Sequence, residues 1–134
     1  MAQQFQADAQ ATAAAVALVT TAETVVNTSN PVAMPNVNAK FVVRGFVTVT
    51  PGTNTTGLTV RIRRGTLTTD TLVGPQVNVT AGVAAAAPIT IPFGFAEFLS
   101  DRVESQYCVT VEQAGATANG SVEASMIEVE CISG

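Results

Sequence analysis

Histidine and tryptophan are absent from this 134-residue chain, and lysine occurs once, at Lys40. Without an imidazole, Ser-His-Asp and Cys-His nucleophile arrangements are excluded, and so are histidine-based zinc sites. Charge is also scarce. Asp, Glu, Lys and Arg make up 12% of the chain, against about 25% in ordinary soluble domains. Thr, Ser, Asn, Gln and Ala must therefore cover the surface, and charge repulsion does little to keep copies apart. A net charge of −4 argues against diffuse attraction to nucleic acid or to an anionic membrane.

No run of 18 apolar residues occurs, so no membrane-spanning helix is expected. The Ala-rich start, MAQQFQADAQATAAAVALV, lacks the basic opening and the uninterrupted apolar run of a secretion signal. Residues 1–14 instead read as an N-terminal arm, small and polar, with no amphipathic stripe to dock it. No phosphate-cradling loop is present, since RRGTLTTDTLVG lacks a lysine before Ser or Thr. Glu97, Asp101 and Glu104 are the nearest approach to a carboxylate or calcium cluster, and they read better as a solvated loop. The chain is expected to be no enzyme and to hold no cofactor or metal.

What is present is β pattern. From about Ala15 onward, Thr/Val-rich segments are broken every eight to twelve residues by Pro, Gly or Asn, the spacing of short antiparallel strands. VALVTTAETVVNTS supplies the first strand or two, and NPVAMPN an extended connection bracketed by Pro31 and Pro35. KFVVRGFVTV is apolar on both faces, with Phe41, Val43, Val47 and Val49 against Val42 and Phe46. Such a strand lies mid-sandwich or at a subunit contact. LTVRIRR alternates, turning Leu58, Val60 and Ile62 inward and Thr59, Arg61 and Arg63 outward, with Arg64 beginning a bend. TLVG, QVNVT, APITIPFG, SQYCVTVEQ and SVEASMIEVECI complete seven or eight strands over residues 15–134. This is an all-β, antiparallel β-sandwich of jelly-roll type; the Cys-Trp-Cys pattern of immunoglobulin domains is missing.

Asn119-Gly120 is a strong hairpin signal between the last two strands. In that hairpin Cys108 would face a residue near Ala124, leaving Cys131 roughly 20 Å further along at about 3.3 Å per residue. A disulfide needs Cα atoms within about 7 Å, so two free thiols are expected. The triplets at Asn27, Asn54, Asn78 and Asn119 read as composition, not as glycosylation sites.

Three of the six basic residues, Arg61, Arg63 and Arg64, crowd one strand. Three readings are open: a cross-strand ladder with Glu123, Glu128 or Glu130, salt bridges to another subunit or a larger partner, and, last, a contact with nucleic acid. Together with Phe41 and Phe46 the three arginines are the candidate interface residues.

The stretches TVRIRRGTLTTDTLVG, NPVAMPN and YCVTVEQAGATANGSVEASMIEVE resemble the small β-sandwich structural proteins of tailed phages, such as capsid decoration proteins. That resemblance covers about Ala17 to Ile132 and rests on Thr/Val/Ala strands, Asn-Gly turns and few charges. It implies a homotrimer on a capsid surface, partnered by the major capsid protein or another virion protein. Two alternatives stand beside it: a glycan- or receptor-binding head of a fibre or adhesin, and a self-assembling filament or shell subunit.

Overall fold

The computed structural model describes residues 4–12, 14–33, 39–99 and 104–133. In chain order the strands are β1 (Gln4–Thr12), β2 (Val16–Leu18), β3 (Thr24–Thr28), β4 (Val32–Ala33), β5 (Ala39–Thr50) and β6 (Gly57–Arg64). They continue as β7 (Thr71–Val79), β8 (Ile89–Leu99), β9 (Glu104–Ser105), β10 (Tyr107–Ala114) and β11 (Gly120–Ser133). The front sheet runs β1-β11-β5-β8, with β2 beside β11, and the back sheet runs β3-β10-β6-β7. Strands β4 and β9 form a small ladder of their own. Every described pairing is antiparallel. Among the described strands, only the β1–β2 and β6–β7 steps stay within one sheet; the other connections pass between sheets, and this wrapping makes a jelly roll.

The core between the sheets is built by the alternation visible in the sequence. Leu58, Val60 and Ile62 point inward from β6 to meet Phe41, Val43 and Val47 from β5, all of them buried. Tyr107, Val109 and Val111 do the same from β10. Gly45 interrupts the inward row of β5 because β11 passes so close that a Cβ there would strike the Met126 carbonyl.

Three expectations need correction. Strands β10 and β11 do not form a hairpin; they lie in opposite sheets, joined by a crossing loop in which Gly115 has φ 73°. Asn-Gly chemistry marks a bend, and a bend can equally serve a crossover. TLVG and QVNVT are not two strands but one, β7, with a register shift opposite Val60/Ile62. The expected arm is drawn onto the sandwich as its edge strand, in register from Gln4↔Ser133 to Thr12↔Ser125. Backbone pairing needs no amphipathic stripe, and polar side chains finish the seam. Asn27 Nδ2 donates to the Gln10 carbonyl at 2.9 Å, Asn30 N donates to Asp8 Oδ2 at 2.9 Å, and the Thr12 and Ser125 hydroxyls meet at 2.6 Å.

Candidate assembly surfaces

The outward face of the back sheet carries the arginines. Arg61 and Arg63 stand side by side on β6, as alternation requires, and both reach Glu23, which enters β3 from the preceding loop. Arg63 Nη2 donates to Glu23 Oε1 and Oε2 at 2.9 and 3.0 Å, and Arg61 Nη1 to Oε1 at 3.1 Å. Thr110 Oγ1 adds a bond at 2.9 Å, and Arg61 Nη1 also reaches Glu112 Oε2 at 3.3 Å. Burial pushes the Glu23 carboxyl up, but the bonds from Arg63, Thr110 and Arg61 outweigh it and hold the group below its ordinary value. The ladder therefore exists, but its acids are Glu23 and Glu112, not Glu123, Glu128 or Glu130. Glu128 and Glu130 lie on the other sheet, where Arg44 Nη2 takes them at 2.7 and 2.6 Å.

Arg64 ends β6 and turns across the gap between the sheets. Its Nε and Nη2 hold Glu97 of β8 at 2.9 and 2.7 Å. Tyr107 donates its hydroxyl to the same carboxylate at 2.5 Å while its ring packs on Phe41 and Phe95. Burial, reinforced by that carboxylate, pushes the Tyr107 phenol well up. The Glu97 bond likewise holds the Arg64 guanidinium charged. This corner ties the two sheets together where hydrophobic contact alone gives no directional fit.

The two phenylalanines part company. Phe41 is fully buried against Tyr107 and belongs to the core, so it cannot touch a partner. Phe46 lies on the outward face of the front sheet, half-buried in a row with Met126 and Pro92. Ala7, Ala9 and Ala11 extend that exposed face onto β1.

At one end of the sandwich four loops are stitched into a crown. Thr117 N donates to the Thr53 carbonyl at 2.9 Å, Ala86 N to that of Pro51 at 3.1 Å, and Thr20 N to Asn119 Oδ1 at 3.1 Å. Buried Gln113 is the hub: its Oε1 accepts from Gly52 N at 2.7 Å and its Nε2 donates to the Thr20 carbonyl at 2.9 Å. A shallow recess lined by Pro51, Gly52, Ala86, Asn119 and Ser121 opens here, with no charged side chain on it.

Among the described residues no cluster of three His, Cys, Asp or Glu could hold a metal ion. Of the three loop acids, Glu97 serves the Arg64 corner, Glu104 sits on β9, and Asp101 lies outside the described residues, as does Pro35. Cys108 and Cys131 are free and buried. The hairpin geometry used to expect this does not exist; the thiols stay apart because Cys131 points into the core from β11 while Cys108, alternating with Tyr107 and Val109, lies beside Arg63 on the other side of the back sheet. Burial pushes the Cys108 thiol up to about 11 and that of Cys131 upward too, which leaves little thiolate for nucleophilic work. Asn27 is buried with its amide engaged, so its triplet offers no acceptor. Sequence reasoning missed Glu23 and Gln113 and read Glu97 as part of a solvated loop. Their partners lie between 10 and 93 residues away along the chain, and no local pattern marks such pairs.

No family model matches the chain, and no curated protein sequence matches it. Solved structures do match. VP2 of infectious bursal disease virus, in a subviral particle, superposes with a TM-score of 0.53 at 8% identity, covering 97% of this chain and 36% of that one. The Gx strain of the same virus gives 0.54 at 12% identity, over 97% and 36%. Its T13 viral particle gives 0.51 at 11% identity, over 97% and 34%. The chain thus spans about a third of the length of the viral chains it matches, and at such identity what it shares with them is the fold: an antiparallel β-sandwich of the kind found in viral capsid protein VP2.

Proposed function

We propose that this chain is a non-enzymatic structural protein of a virus particle that assembles with copies of itself. The observation that carries the reading is the wrapping of nearly the whole chain, 97% of it, into the sandwich of a protein that builds viral particles. The scarcity of charge supports it, since a surface short of Lys and Glu is tolerated where neighbours cover it. The finer form, taken from the resemblance to tailed-phage decoration proteins, is a homotrimer on the capsid surface, bound to another virion protein. The glycan-binding alternative is weaker: the chain has no Trp, and its only Tyr, Tyr107, is buried.

Fold alone does not fix function, so the test is direct. Light scattering and negative-stain microscopy of the purified chain should show closed assemblies of defined stoichiometry, three copies in the finer form. A clear hit on a glycan array from a strictly monomeric chain would replace this reading with the glycan-binding one.

A further inference from the structure

The loop between β7 and β8, residues 80–88, is held to the sandwich by little. Its sequence, TAGVAAAAP, carries no charge and no side chain larger than that of Val83. Every residue of it except Val83 is exposed. Among the described residues two backbone bonds restrain it, Ala86 N to the Pro51 carbonyl at 3.1 Å and Ala87 N to that of Ala84 at 3.2 Å. Ala86 has φ 59°, a left-handed conformation that a Cβ disfavours. The β6–β7 turn is tied more firmly, since Asp70 Oδ2 accepts from both Thr66 N and Leu67 N and Arg63 holds the Asp70 carbonyl. A protease must draw several residues into extended form. An exposed loop of small residues with few bonds to break is where native chains are nicked.

The topology determines what such a break does. It divides the chain into a first half, β1 to β7, and a second half, β8 to β11. The two halves alternate in space. In the front sheet β11 lies between β1 and β5, and β8 flanks β5; in the back sheet β10 lies between β3 and β6. Each described ladder therefore joins one half to the other, with β6–β7 as the single exception. The side chains follow the same division. Phe41 of the first half packs on Tyr107 of the second, and the pairs Arg64–Glu97, Arg61–Glu112 and Arg44–Glu128 all bridge the halves. A cut in the loop interrupts no ladder and uncovers no core residue.

We propose that residues 80–88 are a processing site: an endopeptidase that accepts small aliphatic side chains beside the scissile bond cuts the native chain between Val83 and Ala87, and the two pieces persist as one interleaved subunit. One water is consumed. The carbonyl carbon takes its hydroxyl and the amide nitrogen its proton, leaving a carboxylate and an ammonium in a loop that had no charge. The proposal concerns a single copy and stands apart from the assembly reading.

The test treats the native full chain with elastase, locates the cuts by peptide mass and measures the native mass of the product. Cleavage within 80–88 should run at least about tenfold faster than any cut inside β5, β6, β10 or β11, which must open before a protease can reach them. The native mass should match that of the uncut chain apart from one water per copy, and denaturant should release two pieces. Ala85→Arg gives a second measurement, because it places a trypsin site in the loop while Lys40, Arg44, Arg61, Arg63 and Arg64 all lie within β5 and β6. Trypsin should cut that variant after position 85. A loop that survives elastase would overturn the site, and Ala85→Arg would then show whether access or side-chain choice was at fault. Pieces that part in native buffer would overturn the interleaved product.

Discussion

Two surfaces of the same sandwich handle polarity in opposite ways. On the outer face of the back sheet, Arg61 and Arg63 are spent on Glu23 and Glu112 within the chain. Along the edge strands β7 and β8, residues 71–96 carry no charge, and most of their outward side chains are exposed. The arginine face has the sequence of a docking patch and is bonded internally; the uncharged edge strands have the sequence of filler and are left open. A cluster of charged residues reports an interface only when its hydrogen bonds are unspent.

The largest effect that tests this division lies in the core behind both surfaces. Phe41→Ala should cost about 3–5 kcal/mol in denaturant unfolding, as a buried Phe truncation does, whereas Phe46→Ala on the half-buried outer face should cost far less. Equal costs would mean that β5 is covered on both sides by its own chain.

Next comes the arginine face. Glu23→Ala leaves two guanidinium groups and the Thr110 hydroxyl without their shared acceptor and should lower stability by about 1–3 kcal/mol. Ala96→Glu, at an exposed position on the edge strand β8, should stay within about 0.5 kcal/mol when the monomer is measured. The two substitutions thus separate folding from assembly. A destabilised Ala96→Glu with an unaffected Glu23→Ala would reverse the comparison.

Acid should act on the arginine face and, on the front sheet, on Glu128, which the Arg44 bond also holds below its ordinary value. The Glu23 carboxyl is held below its ordinary value of 4.5, so its contribution is present above that pH and is lost as pH falls through the lower folded value. Glu23→Gln should flatten the acid limb of the stability profile. An unchanged limb would show that the carboxylate is not the group titrating.

The smallest effect concerns the thiols. Cys108 and Cys131 should react with an aromatic disulfide reagent only at the rate of unfolding, and native mass should show no loss of two hydrogens. Rapid labelling of either thiol in the native state would contradict the burial described.

How much of this was legible in sequence follows from the range of each interaction. The inward set Leu58, Val60, Ile62 and the outward set Arg61, Arg63 are period-two facts, and the structure places them so. The jelly-roll class followed from strand count and spacing. The pairing of β10 did not, because Asn119-Gly120 reports a local bend and β10 has its partners, β3 and β6, much further back in the chain. Phe41 and Phe46 could be assigned to opposite faces, but which face was covered depended on the whole opposing sheet. Glu23 reaches Arg61 across 38 positions and from the loop before β3, a distance at which propensity and periodicity carry no information. The charge-free stretch 71–96 could be read from the sequence as a gap between charges; that β7 and β8 are the edge strands of different sheets could not.

The measurement that reaches the central claim most directly is the mass of the assembled chain as a function of salt. An interface without charges should hold its mass from about 0.05 M to about 1 M salt, across which the screening length shrinks several-fold. Dissociation toward 13.7 kDa as salt rises would show that charged residues carry the contact and would return the arginine face to the role its sequence suggested.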